Sequence, residues 1–142
     1  MIVRRSRTVA AAPEAVWRAV ADPRSLARWW PRVERVKSVS DDGWTTVLRS
    51  ERGRALRADW RLEASEPGVR AWAQELEGTP FAKVLAFRRV EVRVEAVGDG
   101  SRVEIEMSQR GRRMARFGSF MLRRAARKEL DGALDGLARA AS

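Results

Sequence analysis

The stretch Val9-Ala-Ala-Ala-Pro-Glu-Ala-Val-Trp17-Arg-Ala-Val-Ala-Asp22-Pro-Arg-Ser-Leu-Ala-Arg-Trp-Trp-Pro31 decides the fold. Pro13 suits the first position of a helix, where its missing N–H would have had no partner. Val16, Trp17 and Val20 then form an apolar stripe at helical spacing. Asp22 precedes Pro23, which pushes it out of the α region and stops the helix. The same Asp22 can cap a second short helix with Pro23 in its first turn. Leu26, Trp29 and Trp30 fall on one side of that helix, and Pro31 helps to end it. Upstream, residues 2–11 read as a strand.

Downstream, turn chemistry recurs at Asp41-Asp42-Gly43, Arg52-Gly53, Glu66-Pro67-Gly68, Gly78-Thr79-Pro80 and Gly98-Asp99-Gly100. The intervals 33–40, 44–51, 54–64, 70–77, 83–97 and 101–110 read as strands. Leu56, Ala58, Trp60 and Leu62 alternate with Arg57, Asp59, Arg61 and Glu63, and Val103, Ile105 and Met107 alternate with Arg102, Glu104 and Glu106. Such alternation gives one dry and one wet face, as in an antiparallel sheet covered on one side. In 83–97 the apolar parity switches from Leu85/Phe87 to Val90/Val92/Val94, which predicts a bulge near Arg88-Arg89. A long helix over 114–139 closes the chain, its core stripe carried by Leu122, Ala126, Leu130, Ala133 and Leu137. The order predicts a single α+β domain with one sheet.

The opening segment, with Trp72-Ala-Gln-Glu-Leu-Glu-Gly-Thr-Pro-Phe81 and the terminal Leu-Asp-Gly-Ala-Leu-Asp-Gly-Leu137, resembles the START/Bet v 1-like superfamily. In particular it is similar to the bacterial polyketide cyclase/dehydrase and lipid-transport family. The resemblance implies a helix-grip fold: a curved seven-stranded antiparallel sheet around the C-terminal helix, with two short helices closing one end. It also implies a cavity between sheet and long helix. Relatives of this kind include lipid carriers, quinone binders, polyketide cyclases, hormone receptors and chaperone activators. The Asp22-Pro to Trp-Trp-Pro31 segment resembles the chaperone-activator branch as well. Fold alone does not select among these activities.

The 142 residues contain no cysteine, histidine or tyrosine. That excludes disulfides, Cys- or His-ligated metals, thiol nucleophiles, Ser-His-Asp triads and phenolic acid catalysis. No cofactor is expected, and catalysis would need an ionisable group inside the cavity. None stands at a clearly dry position. The charged start Met1-Ile-Val-Arg-Arg-Ser-Arg7 does not resemble a signal peptide, and no run approaches the ~20 apolar residues of a membrane span. A soluble, cytoplasmic protein is the expectation.

The expected function is non-catalytic binding or transport of an apolar or amphipathic small molecule, such as a lipid, quinone or polyketide-like compound. A cyclase or dehydratase in the same cavity is the alternative. Trp60 and Trp72 fall on the dry parity of neighbouring strands, and with Phe81, Phe87, Met107 and Leu122 they either line a cavity or fill the core. Gln74 and Gln109 continue the dry parities of Trp72 and Met107. They must find a partner, which could be a ligand oxygen or a nearby backbone group. Asp59 and Glu63 are interleaved with arginine on the wet face and read as a surface charge ladder rather than an acid/base pair.

The net charge of +10 also has two readings, since arginines outnumber lysines 26 to three. One is coding bias. The other is contact with an anionic partner. No acid occurs in residues 110–128, where Arg110, Arg112, Arg113, Arg116, Arg123, Arg124, Arg127 and Lys128 surround a second apolar stripe of Met114, Phe117, Met121 and Ala125. Arg116, Arg123 and Arg127 share one side of the helix. This cluster is either a solvated face or an interaction module with weak affinity for anionic lipid or nucleic acid.

Overall fold

The turn chemistry divides the chain into seven strands and three α-helices in a computed structural model that describes residues 1–113 and 115–142. Strand β1 (Ile2–Val9) leads to α1 (Pro13–Ala21), with Pro13 in its first turn as the sequence predicts. Asp22 then leaves the helical region, and its Oδ1 accepts a 3.0 Å hydrogen bond from the Arg24 amide. That cap starts a 3-10 turn at Pro23–Ser25, which runs directly into α2 (Leu26–Trp29). Strands β2 (Val33–Lys37), β3 (Gly43–Arg49), β4 (Ala55–Glu66), β5 (Val69–Glu75), β6 (Leu85–Val97) and β7 (Gly100–Gly111) follow. Helix α3 (Arg116–Ala141) completes the chain, and Met114 of the predicted second stripe lies outside the described residues.

All seven strands join one antiparallel sheet in the order β1-β7-β6-β5-β4-β3-β2, so β1 and β2 are its edges. Bulges interrupt the register between Val33 and Arg35, Leu62 and Ala64, and Leu85 and Phe87. Each bends its strand, and together they curve the sheet around α3. The turn between β4 and β5 uses Gly68 at φ +79, where a Cβ would also lie 2.8 Å from the Val94 carbonyl oxygen. No other residue fits that position without strain.

The core lies between the concave face and α3. Val90, Val92, Val103, Ile105 and Met107 of the sheet meet Ala126, Leu130, Ala133, Leu134 and Leu137 of the helix, all essentially buried. The predicted stripe is therefore the buried one, with Leu122, in the second turn of the helix, only half-buried. Helix α3 is also tied to β1, where Arg5 pairs with Asp131 at 3.1 Å and Arg7 pairs with Asp135.

On the convex face the charges pair as a surface ladder, with one pair standing apart from a longer network in which Arg61 also lies 3.6 Å from Glu63. Arg57 meets Asp59 at 3.0 Å, Arg61 meets Glu75 at 2.6 Å, and Arg89 joins Glu63 at 3.1 Å to Glu91 at 3.4 Å. Arg93 completes it on Glu91 at 2.9 Å. The Thr45 hydroxyl, donating at 2.6 Å, and then the Arg57 guanidinium hold the Asp59 carboxyl below the usual carboxylate range. A depressed carboxylate contributes stability above its unfolded pKa of about 3.9 and loses it as pH falls through the lower folded value. Thr45→Val should therefore raise the Asp59 titration midpoint measured by NMR and shift acid unfolding to higher pH. An unmoved midpoint would assign the depression to Arg57 alone.

Candidate functional site

The site is built from two adjacent cross-strand rows on the concave face. In the first, Leu62 faces Trp72, Trp72 faces Val90, Val90 faces Met107, and Met107 faces Val3. This row is apolar throughout. Trp72 is packed edge-on between Trp30, at a centroid distance of 6.3 Å, and Trp44 at 5.7 Å. Trp29 extends the chain of rings, 5.4 Å from Trp30.

The second row is polar. Trp44 faces Trp60, Trp60 faces Gln74, and Arg88 faces Gln109. The pairing of Ala73 with Arg89 sets position 74 beside position 88. Trp60 donates its indole N–H to Thr46 Oγ1 at 3.0 Å. Gln74 is only 7% exposed, and neither its Nε2 nor its Oε1 has a hydrogen-bond partner among the described residues. The Trp44 Nε1 and Arg88 Nε atoms are likewise buried and unpartnered. Leaving such groups unsatisfied costs about 1–3 kcal/mol each.

Arg88 is the hinge between this row and α3. Its Nη2 donates to Glu129 Oε1 at 2.7 Å and lies 3.8 Å from Met107 Sδ. The other Glu129 oxygen accepts the Trp30 indole N–H at 2.8 Å. Beside this ion pair a cleft of about 770 Å³ opens between α3 and the β2–β3–β4 side of the sheet. Leu48, Leu56, Arg88, Ala125, Lys128 and Glu129 contribute to its walls. Leu48, Leu56, Ala125 and Pro31 give it apolar wall, and charged side chains of both signs, Arg32, Arg49, Glu51, Asp131 and Asp135 among them, line the rest. That mixture suits an amphipathic small molecule.

The eight sequence-predicted ligand residues divide among several places. Trp60, Gln74 and Gln109 share the polar row, while Trp72 and Met107 belong to the packed apolar row. Gln109 and Leu122 also line a groove of about 430 Å³ with Arg116, Phe120 and Arg123. Phe81 is half-buried in a 3-10 turn at Pro80–Lys83. Phe87 points to the convex side and is 37% exposed. The bulge explains that outcome: it falls between Leu85 and Phe87, not near Arg88-Arg89, so Phe87 turns outward and Arg88 inward. The space between the concave face and α3 therefore does hold ionisable groups, Arg88 of the sheet and Glu129 of the helix, contrary to the sequence expectation. Extending the parity of Val94, Val92 and Val90 by one step would have found Arg88. Glu129 reaches the site only through the docking of α3, and no local pattern announces its contact with Trp30 at the end of α2.

Comparison with known proteins agrees with this architecture. A family model described as polyketide cyclase / dehydrase and lipid transport matches residues 1–142, and the chain belongs to that family. A START superfamily protein from Mycobacterium smegmatis superposes with a TM-score of 0.79 at 11% identity, covering 96% of this chain and 94% of that one. The Zhui aromatase/cyclase from Streptomyces sp. R1128 gives 0.77 at 20% identity, covering 99% and 93%. The di-domain ARO/CYC BexL from the BE-7585A biosynthetic pathway gives 0.82 at 19% identity, covering 99% of this chain and 46% of that one. At these identities the structural likeness establishes the helix-grip fold alone. No curated protein matches the sequence. Among the described residues, no helix is long and apolar enough to cross a membrane, and no group of three or more Asp or Glu could hold a metal.

Proposed function

We propose that the protein binds an amphipathic, oxygen-bearing polycyclic or lipid-like molecule between sheet and α3 and releases it unchanged. The observation that carries this reading is the buried Gln74 amide, unpartnered at both ends in a row with Trp60 and Arg88. A ligand carbonyl or hydroxyl there would satisfy the amide, while the half-buried Trp60 beside it would pack against the apolar body. The family description, which includes lipid transport, supports a ligand of this class. The absence of cysteine suits a reducing compartment such as the cytoplasm.

The test is Gln74→Leu, read on two axes. Binding of a hydroxyanthraquinone, followed by quenching of tryptophan emission, should weaken about tenfold through loss of one hydrogen bond. Stability in urea should rise by about 1–3 kcal/mol, because two unsatisfied polar atoms leave the interior. A variant that binds equally well, or is less stable, would assign Gln74 to internal structure and remove the main support.

Arg88 and Glu129 favour a second reading, cyclisation of a poly-ketone chain, because they bring a cation and a carboxylate into the cleft. The aromatase/cyclase identity of two structural neighbours points the same way. Turnover of a poly-ketone substrate that disappears in Arg88→Met while binding persists would establish the enzyme. No turnover by the unaltered protein is the expected result.

A further inference from the structure

We infer that the first half of α3 is a docking surface for membranes containing anionic phospholipid. Phe117, Phe120 and Met121 are 74%, 55% and 45% exposed, and they lie together on the first two turns of the helix. At about 100° per residue they point away from the buried stripe centred on Ala126 and Leu130. Arg124 and Lys128 continue the same outward face for a further turn. Arg116, Arg123 and Arg127 flank it on one side. Arg110, Arg112 and Arg113 precede the helix, and Arg112 is bonded through its backbone amide to the carbonyl of Val84, itself 50% exposed.

The charge at this end is local. None of these eight cations has an ion-pair partner among the described residues, whereas Arg57, Arg61, Arg89 and Arg93 of the convex face are all paired. Eight uncompensated charges compare with a net of +10 for the whole chain, so a uniform excess of arginine does not account for the distribution. Nor does helix stability. The first turn has no acidic residue and no side-chain cap, and cations there oppose the helix dipole. An anionic surface outside the protein removes both penalties.

The exposed side chains select the kind of anionic surface. Two phenylalanines and a methionine within a basic rim match the headgroup–acyl boundary, where apolar side chains leave water while the cations remain among phosphates. A nucleic acid backbone offers the charge without the apolar layer. Lys128 belongs both to this face and to the wall of the 770 Å³ cleft, so a docked membrane would lie beside its mouth. The chemistry of the surface stands independently of the cavity ligand.

Sedimentation with vesicles tests the assignment on the full chain. Equal parts phosphatidylcholine and phosphatidylglycerol should bind the protein, and phosphatidylcholine alone should not. Each cation near an acidic membrane contributes on the order of 1 kcal/mol, so replacing Arg116, Arg123 and Arg127 with Gln should weaken binding roughly a hundredfold. The same replacement at Arg57, Arg61 and Arg93 removes equal charge and should change binding less than about threefold, since those side chains are engaged in pairs. Phe117→Ser with Phe120→Ser should weaken vesicle binding about tenfold or more while leaving any affinity for a DNA duplex unaltered. Equal losses from the two arginine triples would overturn the proposal, as would unchanged vesicle binding by the double Phe variant. Tighter binding to the duplex than to anionic vesicles would reassign the surface to nucleic acid. All replaced residues are at least partly exposed, and circular dichroism of each variant separates lost binding from lost folding.

Discussion

Gly136→Ala is expected to lower the unfolding free energy by more than about 3 kcal/mol, an unusually large effect for one added methyl group. A Cβ at this position would stand 2.3 Å from the Trp29 carbonyl oxygen and 2.9 Å from its Cα. The obstruction is backbone, so no rotamer change relieves it. Helix α2 cannot retreat cheaply either. Trp29 is 2% exposed, its indole donates to the Ala19 carbonyl at 3.3 Å, and its ring packs against Trp30. Gly132→Ala provides the contrast. There the new Cβ would meet Pro31 Cγ at 2.9 Å, a ring atom that can shift by repuckering, and alanine gains roughly 1 kcal/mol of helix propensity over glycine. Urea titration of both variants should place Gly132→Ala near the parent and Gly136→Ala far below it. The reverse order would mean that α2 and α3 do not approach as closely as described.

Glu129→Leu should destabilise by about 3 kcal/mol, at the lower end for a broken buried pair because 29% of the Glu129 side chain remains exposed. The substitution leaves Arg88 without its counter-charge and the Trp30 indole without its acceptor. Arg88→Met alone should cost less, since it leaves an anion that still accepts from Trp30 and can reach water. The combined Arg88→Met, Glu129→Leu protein should recover part of the loss, as an apolar replacement of an interior ion pair often does. If the losses simply add, the two side chains are energetically independent and the 2.7 Å contact contributes little.

Most of the architecture was readable from residue patterns. The alternation Leu56 to Leu62 and Val103 to Met107 places those strands, and the Pro13–Asp22–Pro23 punctuation places two helical segments. These signals are local, and each element obeys its own period. The site was less legible because its chemistry departs from the binary pattern. Phe87 is apolar and faces outward, Arg88 is charged and faces inward, and a bulge three residues from the predicted place decides both. Gln74 and Gln109 were visible as polar residues on a dry parity. Their row with Trp60 and Arg88 depends on pairing across strands, which one sequence does not encode locally. Trp72 reads from the resemblance as a cavity-wall residue, with core packing as the alternative; in the structure it packs edge-on against Trp30 and Trp44.

The edges of the sheet bear on how copies of this protein behave when crowded together. An open seven-stranded sheet carries two rows of unpaired backbone groups, each a template on which another chain can zip. Here β1 presents Arg4, Arg5 and Arg7, anchored to Glu106, Asp131 and Asp135 so that the charges stay beside the strand. At the other edge β2 is only five residues long, broken by a bulge, and carries Arg35 and Lys37. A second copy sliding edge-on would meet a row of ion-paired, hydrated side chains on one side and an irregular, short partner on the other. Charged side chains on β1 and a short, bulged β2 are the edge features that disfavour strand-to-strand association.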